Sequence, residues 1–96
     1  MLSKASISVI MPVYNSELFL EEAILSILNQ SYKKFEFIII NDYSQDKSLE
    51  IINKYKQIDS RIKIINNQKN IGAAKSFNKG LAIAKGHFVA KIAENY

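Results

Sequence analysis

Apolar residues in this chain fall into two alternating patterns: short continuous runs, and positions spaced three or four apart. Ile7, Ser8, Val9, Ile10 and Met11 form a mostly apolar run closed by Pro12, which predicts a buried strand. Leu20, Ala23, Ile24, Ile27 and Leu28 then mark one face of a helix. Glu17, Glu21 and Glu22 lie near its N-terminal end, where negative charge is favoured. Phe37 to Ile40 predicts a second strand, and Ser44 and Asp46 offer caps to a helix with Leu49, Ile52 and Tyr55 on its apolar side. Ile62 to Ile65 predicts a third strand, followed by a polar turn over 66–70. Gly72 opens a helix whose inward face is expected at Ala73, Phe77, Leu81 and Ala84. Gly86 ends that helix, and Phe88 to Ile92 is a fourth strand.

This order, β-α-β-α-β-α-β, predicts an α/β fold: a Rossmann-like parallel sheet with right-handed crossovers. No internal repeat or low-complexity linker interrupts it. Parallel sheets of this kind bind ligands beyond the C-terminal ends of their strands. That rule singles out Pro12 to Asn15, Asn41 to Ser44, the turn from Asn66 to Gly72, and Ala93 to Tyr96. Three of these segments precede helices, whose N-termini suit phosphate or carboxylate.

Size and charge narrow the reading further. Ninety-six residues, 48% of them apolar, make one small domain able to form a core. The net charge of +4 comes from lysines scattered over helices and loops. They are not interleaved with aromatics as a nucleic-acid groove requires, so no nucleic-acid partner is expected. Weak attraction to an anionic membrane surface or a phosphorylated substrate stays open. The apolar runs are far shorter than the roughly 20 residues that span a bilayer, and the start has no signal-peptide pattern. The expected location is cytoplasmic, with peripheral attachment to the inner face of the membrane as a further option. The chain has no Cys, which excludes a disulfide framework and a thiolate metal site. His87, the single histidine, falls at the base of the fourth strand, so neither a histidine-rich metal site nor a Ser-His-Asp triad is available.

Several residues at the ligand end have two readings. Asp42 can accept a hydrogen bond from a ligand N–H or cap a turn. Tyr14 can stack on a planar base or be an ordinary turn tyrosine. Asn15 reads as a turn residue. Gly72 could let a phosphate approach the third helix or merely serve the turn, and Lys75 could meet that phosphate or stay solvated. A dinucleotide fingerprint and a P-loop are both absent. A receiver domain would need an acidic pair after the first strand, where this chain has Pro12-Val13-Tyr14.

Ile7 to Asn15 resembles the opening strand of inverting, family 2 type glycosyltransferases, and Leu20 to Tyr32 resembles the helix that follows it. Asn41-Asp42-Tyr43-Ser44-Gln45-Asp46 is similar to their Asp/Asn-Asp-Gly-Ser-Thr-Asp pattern, with Tyr43 in place of Gly. Asn70-Ile71-Gly72 and Asn78-Lys79-Gly80 are similar to the next loop and helix. The resemblance covers the whole chain and implies part of a glycosyltransferase A-type fold with strand order 3-2-1-4. It implies transfer of a sugar from a nucleoside diphosphate sugar, UDP-linked by expectation, to a glycan or lipid hydroxyl in polysaccharide synthesis. The implied donor site comprises Pro12, Val13, Tyr14, Asn15, Asp42, Ser44 and Lys75, with Asp42 on the base and Tyr14 packed against it.

The resemblance also implies Mg²⁺ or Mn²⁺ held by an Asp-x-Asp sequence after the fourth strand. Here Ala93, Glu94, Asn95 and Tyr96 stand there, leaving Glu94 and Asn95 as candidate ligands. The acceptor-binding half, which carries the general base, has no counterpart in residues 1–96. The chain is therefore expected to be the nucleotide-sugar-binding portion, inactive alone, with a homodimer through the exposed edge of the fourth strand. The alternative reading is a decayed or truncated binding or assembly module.

Overall fold

The structure, a computed structural model, describes residues 6–92. Its elements run β1 (Ile7–Val13), α1 (Leu20–Leu28), β2 (Phe35–Asn41), α2 (Ser48–Ile58), β3 (Ile62–Asn66), α3 (Ala73–Ile83) and β4 (Phe88–Lys91). The strands form one parallel sheet in the order β3-β2-β1-β4, as expected.

Strand β1 runs through the expected stop at Pro12 and ends one residue later, at Val13. The hydrogen-bond parity explains why proline is tolerated there. Even-numbered residues of β1 face β4: Ser6 O accepts from Phe88 N, and Ile10 O accepts from Ile92 N. The missing N–H of Pro12 thus points to the β4 side, beyond the last β1–β4 pair, Ile10 with Lys91. Pairing with β2 is undisturbed through Val13 and Asn41.

The strands are apolar on both faces because helices cover both. Val9, Met11, Val13, Phe37 and Ile39 pack with Leu20, Ile24 and Leu28 of α1 and Ile52 and Tyr55 of α2. Ile10, Ile38 and Ile40 face the other way, against Phe77 of α3 and Ala84. The chain steps from β1 to β2 to β3, then crosses back to β4 on the far side of β1. Reversing direction with right-handed crossovers puts the third helix on the opposite face.

Helix α3 meets the sheet differently from the periodicity reading. Its buried positions are Ser76 and Gly80, while Leu81 is exposed. A Cβ on Gly80 would lie 2.7 Å from Ile10 Cγ2 and 2.9 Å from Ile40 Cδ1. The helix therefore lies almost directly on the isoleucines, and small residues line its contact stripe.

At the base of the sheet, buried Glu36 ties several elements together. Ser8 Oγ donates to Glu36 Oε2 (2.5 Å), as does Lys85 N (2.5 Å), while Lys63 Nζ donates to Oε1 (2.7 Å). Burial alone would raise the Glu36 carboxyl, but these donors and the Lys63 charge outweigh it and hold the group below the usual carboxylate range.

Candidate functional site

The C-terminal ends of β1 and β2 carry two loops bonded to each other. Asn15 N donates to Ser44 Oγ (3.0 Å), and Gln45 N donates to Asn15 Oδ1 (2.8 Å). Ser16 N donates to Ser48 Oγ (2.8 Å), and Glu17 N donates to Asp46 Oδ2 (3.0 Å). Asp46 Oδ1 accepts from Ser48 N (2.9 Å), so one carboxylate joins the start of α2 to the β1–α1 loop. Burial would raise the Asp46 carboxyl, but bonds from Ser48 and the Glu17 N–H keep it below its ordinary value. Of the two expected caps, Asp46 serves α2 directly, while Ser44 is spent on the cross-loop bond to Asn15.

This frame holds two non-glycine residues in the left-handed region, Asn15 (φ 47°) and Tyr43 (φ 62°). Asparagine tolerates that conformation; a tyrosine there is strained by about 1 kcal/mol or more. Tyr43 occupies the place of the glycine in the resembled pattern, and it is 48% exposed. Tyr14 is half-buried at the end of β1, and Pro12 and Val13 are buried beneath it.

The third wall comes from the turn between β3 and α3. The ladder continues past the strands: Asp42 N donates to Val13 O (2.8 Å) and Asn67 N to Asn41 O (2.9 Å). Asn41 Nδ2 donates to Asn66 Oδ1 (2.8 Å) across one rung. Asp42 is fully buried, and its carboxylate gathers the turn. Oδ1 accepts from Ile71 N (2.8 Å) and Asn67 Nδ2 (3.0 Å), and Oδ2 accepts from Gly72 N (2.9 Å). Asn70 Nδ2 also reaches the Asp42 carbonyl (3.3 Å). The carboxylate thus occupies the N–H groups at the entrance to α3, the position an external anion would take at an open helix start. Gly72 has φ 94°, which excludes other residues on backbone grounds, while a Cβ there would meet nothing within 4 Å. Lys75 is exposed in the first turn of α3.

The structure therefore brings Pro12, Val13, Tyr14, Asn15, Asp42 and Ser44 to one end of the sheet, with Lys75 on the neighbouring helix. Asn67, Ser76 and Lys79 join them: Asn67 lies in the turn and Lys79 in the Asn78-Lys79-Gly80 stretch noted in the sequence, but neither was singled out for a role, nor was Ser76. The candidate metal ligands Glu94 and Asn95 lie outside the described residues. Among the described residues, no group of three or more His, Asp or Glu side chains could hold a metal ion. An apolar cavity of about 240 Å³ lies elsewhere, between the end of α1, the first half of β1 and the end of β4, lined by Val9, Ile27, Tyr32 and Ala90. It carries no chemistry-bearing group, so the polar loops define the site.

The family model for glycosyl transferase family 2 matches residues 8–92, and the chain belongs to that family. An uncharacterized glycosyltransferase of Haemophilus influenzae is 49% identical over 83 residues, covering 86% of this chain and 33% of that protein. The putative teichuronic acid biosynthesis glycosyltransferase TuaG of Bacillus subtilis is 40% identical, covering 91% of this chain and 34% of that protein. The chain thus spans about a third of the length of these curated relatives. Among solved structures, TarS of S. aureus (residues 1–349) in complex with UDP superimposes with a TM-score of 0.84 at 33% identity. That match covers 94% of this chain and 27% of TarS. A mannosyltransferase from Pyrobaculum calidifontis in complex with GDP-Man and Mn²⁺ shares the fold, with a TM-score of 0.85 at 23% identity, covering 97% and 28% of the two chains.

Proposed function

We propose that this chain is the nucleotide-binding portion of a sugar transferase and takes the nucleoside diphosphate of a UDP-sugar at the carboxyl ends of β1 and β2. The observation that carries this reading is the bonded pair of loops, Asn15 to Glu17 against Ser44 to Ser48, which fixes the segments carrying Tyr14 and Tyr43 at the same end of the sheet. Two aromatic rings on a rigid frame suit a planar base. The UDP-bound TarS neighbour supports uracil as that base.

In this account Pro12 to Asn15 form the floor, Tyr14 packs on the base, and Ser44 keeps the loop pair closed. Asp42 holds the Asn67 to Gly72 turn as the third wall, its carboxylate engaged by the turn's own N–H groups. Lys75 stands on the side where the phosphates leave the pocket. Glu94 and Asn95 remain the proposed contacts for a divalent ion, which when bound offsets the diphosphate charge. The acceptor is a glycan or lipid hydroxyl, bound outside residues 1–96, so this chain alone binds donor without transferring sugar. We also infer that the open β4 edge, with Phe88 71% and Val89 42% exposed beside the apolar cavity, pairs with a second copy of the chain.

Calorimetric titration tests the reading. UDP should bind at sub-millimolar to millimolar concentration, CMP should bind at least several-fold more weakly, and incubation with UDP-sugars should release no free sugar. Equal affinity for both nucleotides, or metal-dependent turnover by the chain alone, would contradict it.

A further inference from the structure

Asn67 is nearly sealed in the structure, 3% exposed, and each end of its amide has a defined partner. Nδ2 donates to Asp42 Oδ1 and to Ser76 Oγ, each at 3.0 Å. Oδ1 accepts from Lys79 Nζ at 2.9 Å. Ser76 and Lys79 are three residues apart on α3, so both reach Asn67 from one face of the helix. An ammonium has donors only, and a carboxylate only acceptors. Lys79 can therefore meet only the amide oxygen, and Asp42 only the amide nitrogen. A flipped Asn67 would set its oxygen against a carboxylate and its NH₂ against an ammonium, losing both bonds at once. The exposed lysine thus dictates which way a buried amide points, and the amide fixes the carboxylate that gathers the Ile71 and Gly72 N–H groups.

We propose that Asn67 and Lys79 are positioning residues of the nucleotide site, acting through Asp42. They hold its carboxylate in one orientation and keep the Asn67 to Gly72 turn at a fixed distance from the ends of β1 and β2. The proposal rests on the nucleotide-binding reading for its functional consequence, but the relay itself is defined without any ligand. Lys79 is exposed on its helix, so removing its charge tests the relay with little packing loss.

The experiment compares wild type, Lys79→Met and Lys79→Arg, with Asn67→Ala as a second route to the same loss. Nitrogen-15 spectra follow the Asn67 side-chain NH₂ and the Ile71 and Gly72 amides, and UDP titration gives affinities. Lys79→Met should speed exchange of the Asn67 NH₂ and the two amides and weaken UDP about tenfold, the scale of one charge-assisted hydrogen bond. Its thermal midpoint should fall by several degrees, because the buried Asn67 oxygen loses its partner, while the protein stays folded at the temperature of the titration. Lys79→Arg should restore both readouts to within about twofold. Asn67→Ala should weaken UDP at least as much. Unchanged exchange and affinity in Lys79→Met would overturn the proposal, as would a loss of UDP binding that only tracks a fallen midpoint and is not restored by arginine. If wild type binds no UDP, the nucleotide reading fails by itself. The exchange data alone then decide the relay: faster exchange in Lys79→Met supports it, and unchanged exchange overturns it.

Discussion

Tyr43 and Asn15 share a backbone conformation and differ in what their side chains do with it. Tyr43, at φ 62°, bears strain with no compensating bond from its ring among the hydrogen bonds of the described residues. Replacing it by glycine removes about 1–2 kcal/mol of left-handed strain. It returns about 0.4–1 kcal/mol through the freer unfolded chain. Tyr43→Gly should therefore raise stability by roughly 0.5–1 kcal/mol in denaturant unfolding. If the ring contacts the base, the same variant weakens UDP. Asn15, at φ 47°, has its side chain bonded to Gln45 N, so Asn15→Ala should cost about 1–2 kcal/mol by the same measurement. The strain at 43 was legible beforehand, because the resembled pattern has glycine there. The role of Asn15 was not. Its partner lies thirty residues along the chain, and local sequence shows only that asparagine suits a turn.

Among the elements, α1 was readable because its contact stripe is large and apolar: Leu20, Ile24 and Leu28 are the buried positions that periodicity marked. Helix α3 was misread at Leu81, because a stripe of Ser76 and Gly80 carries no hydrophobic signal. Pattern reading looks for apolar bulk, and a helix pressed close onto isoleucines has no room for bulk. The same geometry predicts the outcome of Gly80→Ala. Alanine gains about 1 kcal/mol of helix propensity, but its Cβ enters a filled core, where overpacking costs about 1–3 kcal/mol. The net effect should be destabilising by about 1 kcal/mol in urea unfolding, against the sign that propensity alone gives. At the strand ends, the cross-loop bonds escaped the sequence reading for the reason given for Asn15: each joins loops about thirty residues apart.

At the scale of the molecule, Glu36 links β1, β2, β3 and the connection into β4 through Ser8, Lys63 and Lys85. Its carboxyl is held below the usual glutamate range in the folded state, so the folded chain binds the proton less readily than the unfolded chain. That stability is present above about pH 4.5 and is lost as pH falls through the lower folded value. Thermal midpoints should therefore be level near neutrality and drop below that pH, with a shallower drop in Glu36→Gln. Asp46 and Asp59 are shifted in the same direction and keep part of the slope in the variant. The open β4 edge adds a second whole-molecule expectation, a concentration-dependent dimer in sedimentation, which Val89→Lys should abolish. A monomer at all concentrations would contradict it. The central claim is donor-nucleotide binding at the ends of β1 and β2, and backbone amide shifts on UDP titration, with and without Mn²⁺, test it most directly. The account predicts saturable shifts at Tyr14, Asn15, Tyr43, Ser44 and Gly72, strengthened by Mn²⁺ if Glu94 and Asn95 hold the ion. Absence of shifts at millimolar UDP, or shifts confined to the apolar cavity beside β4, would contradict it.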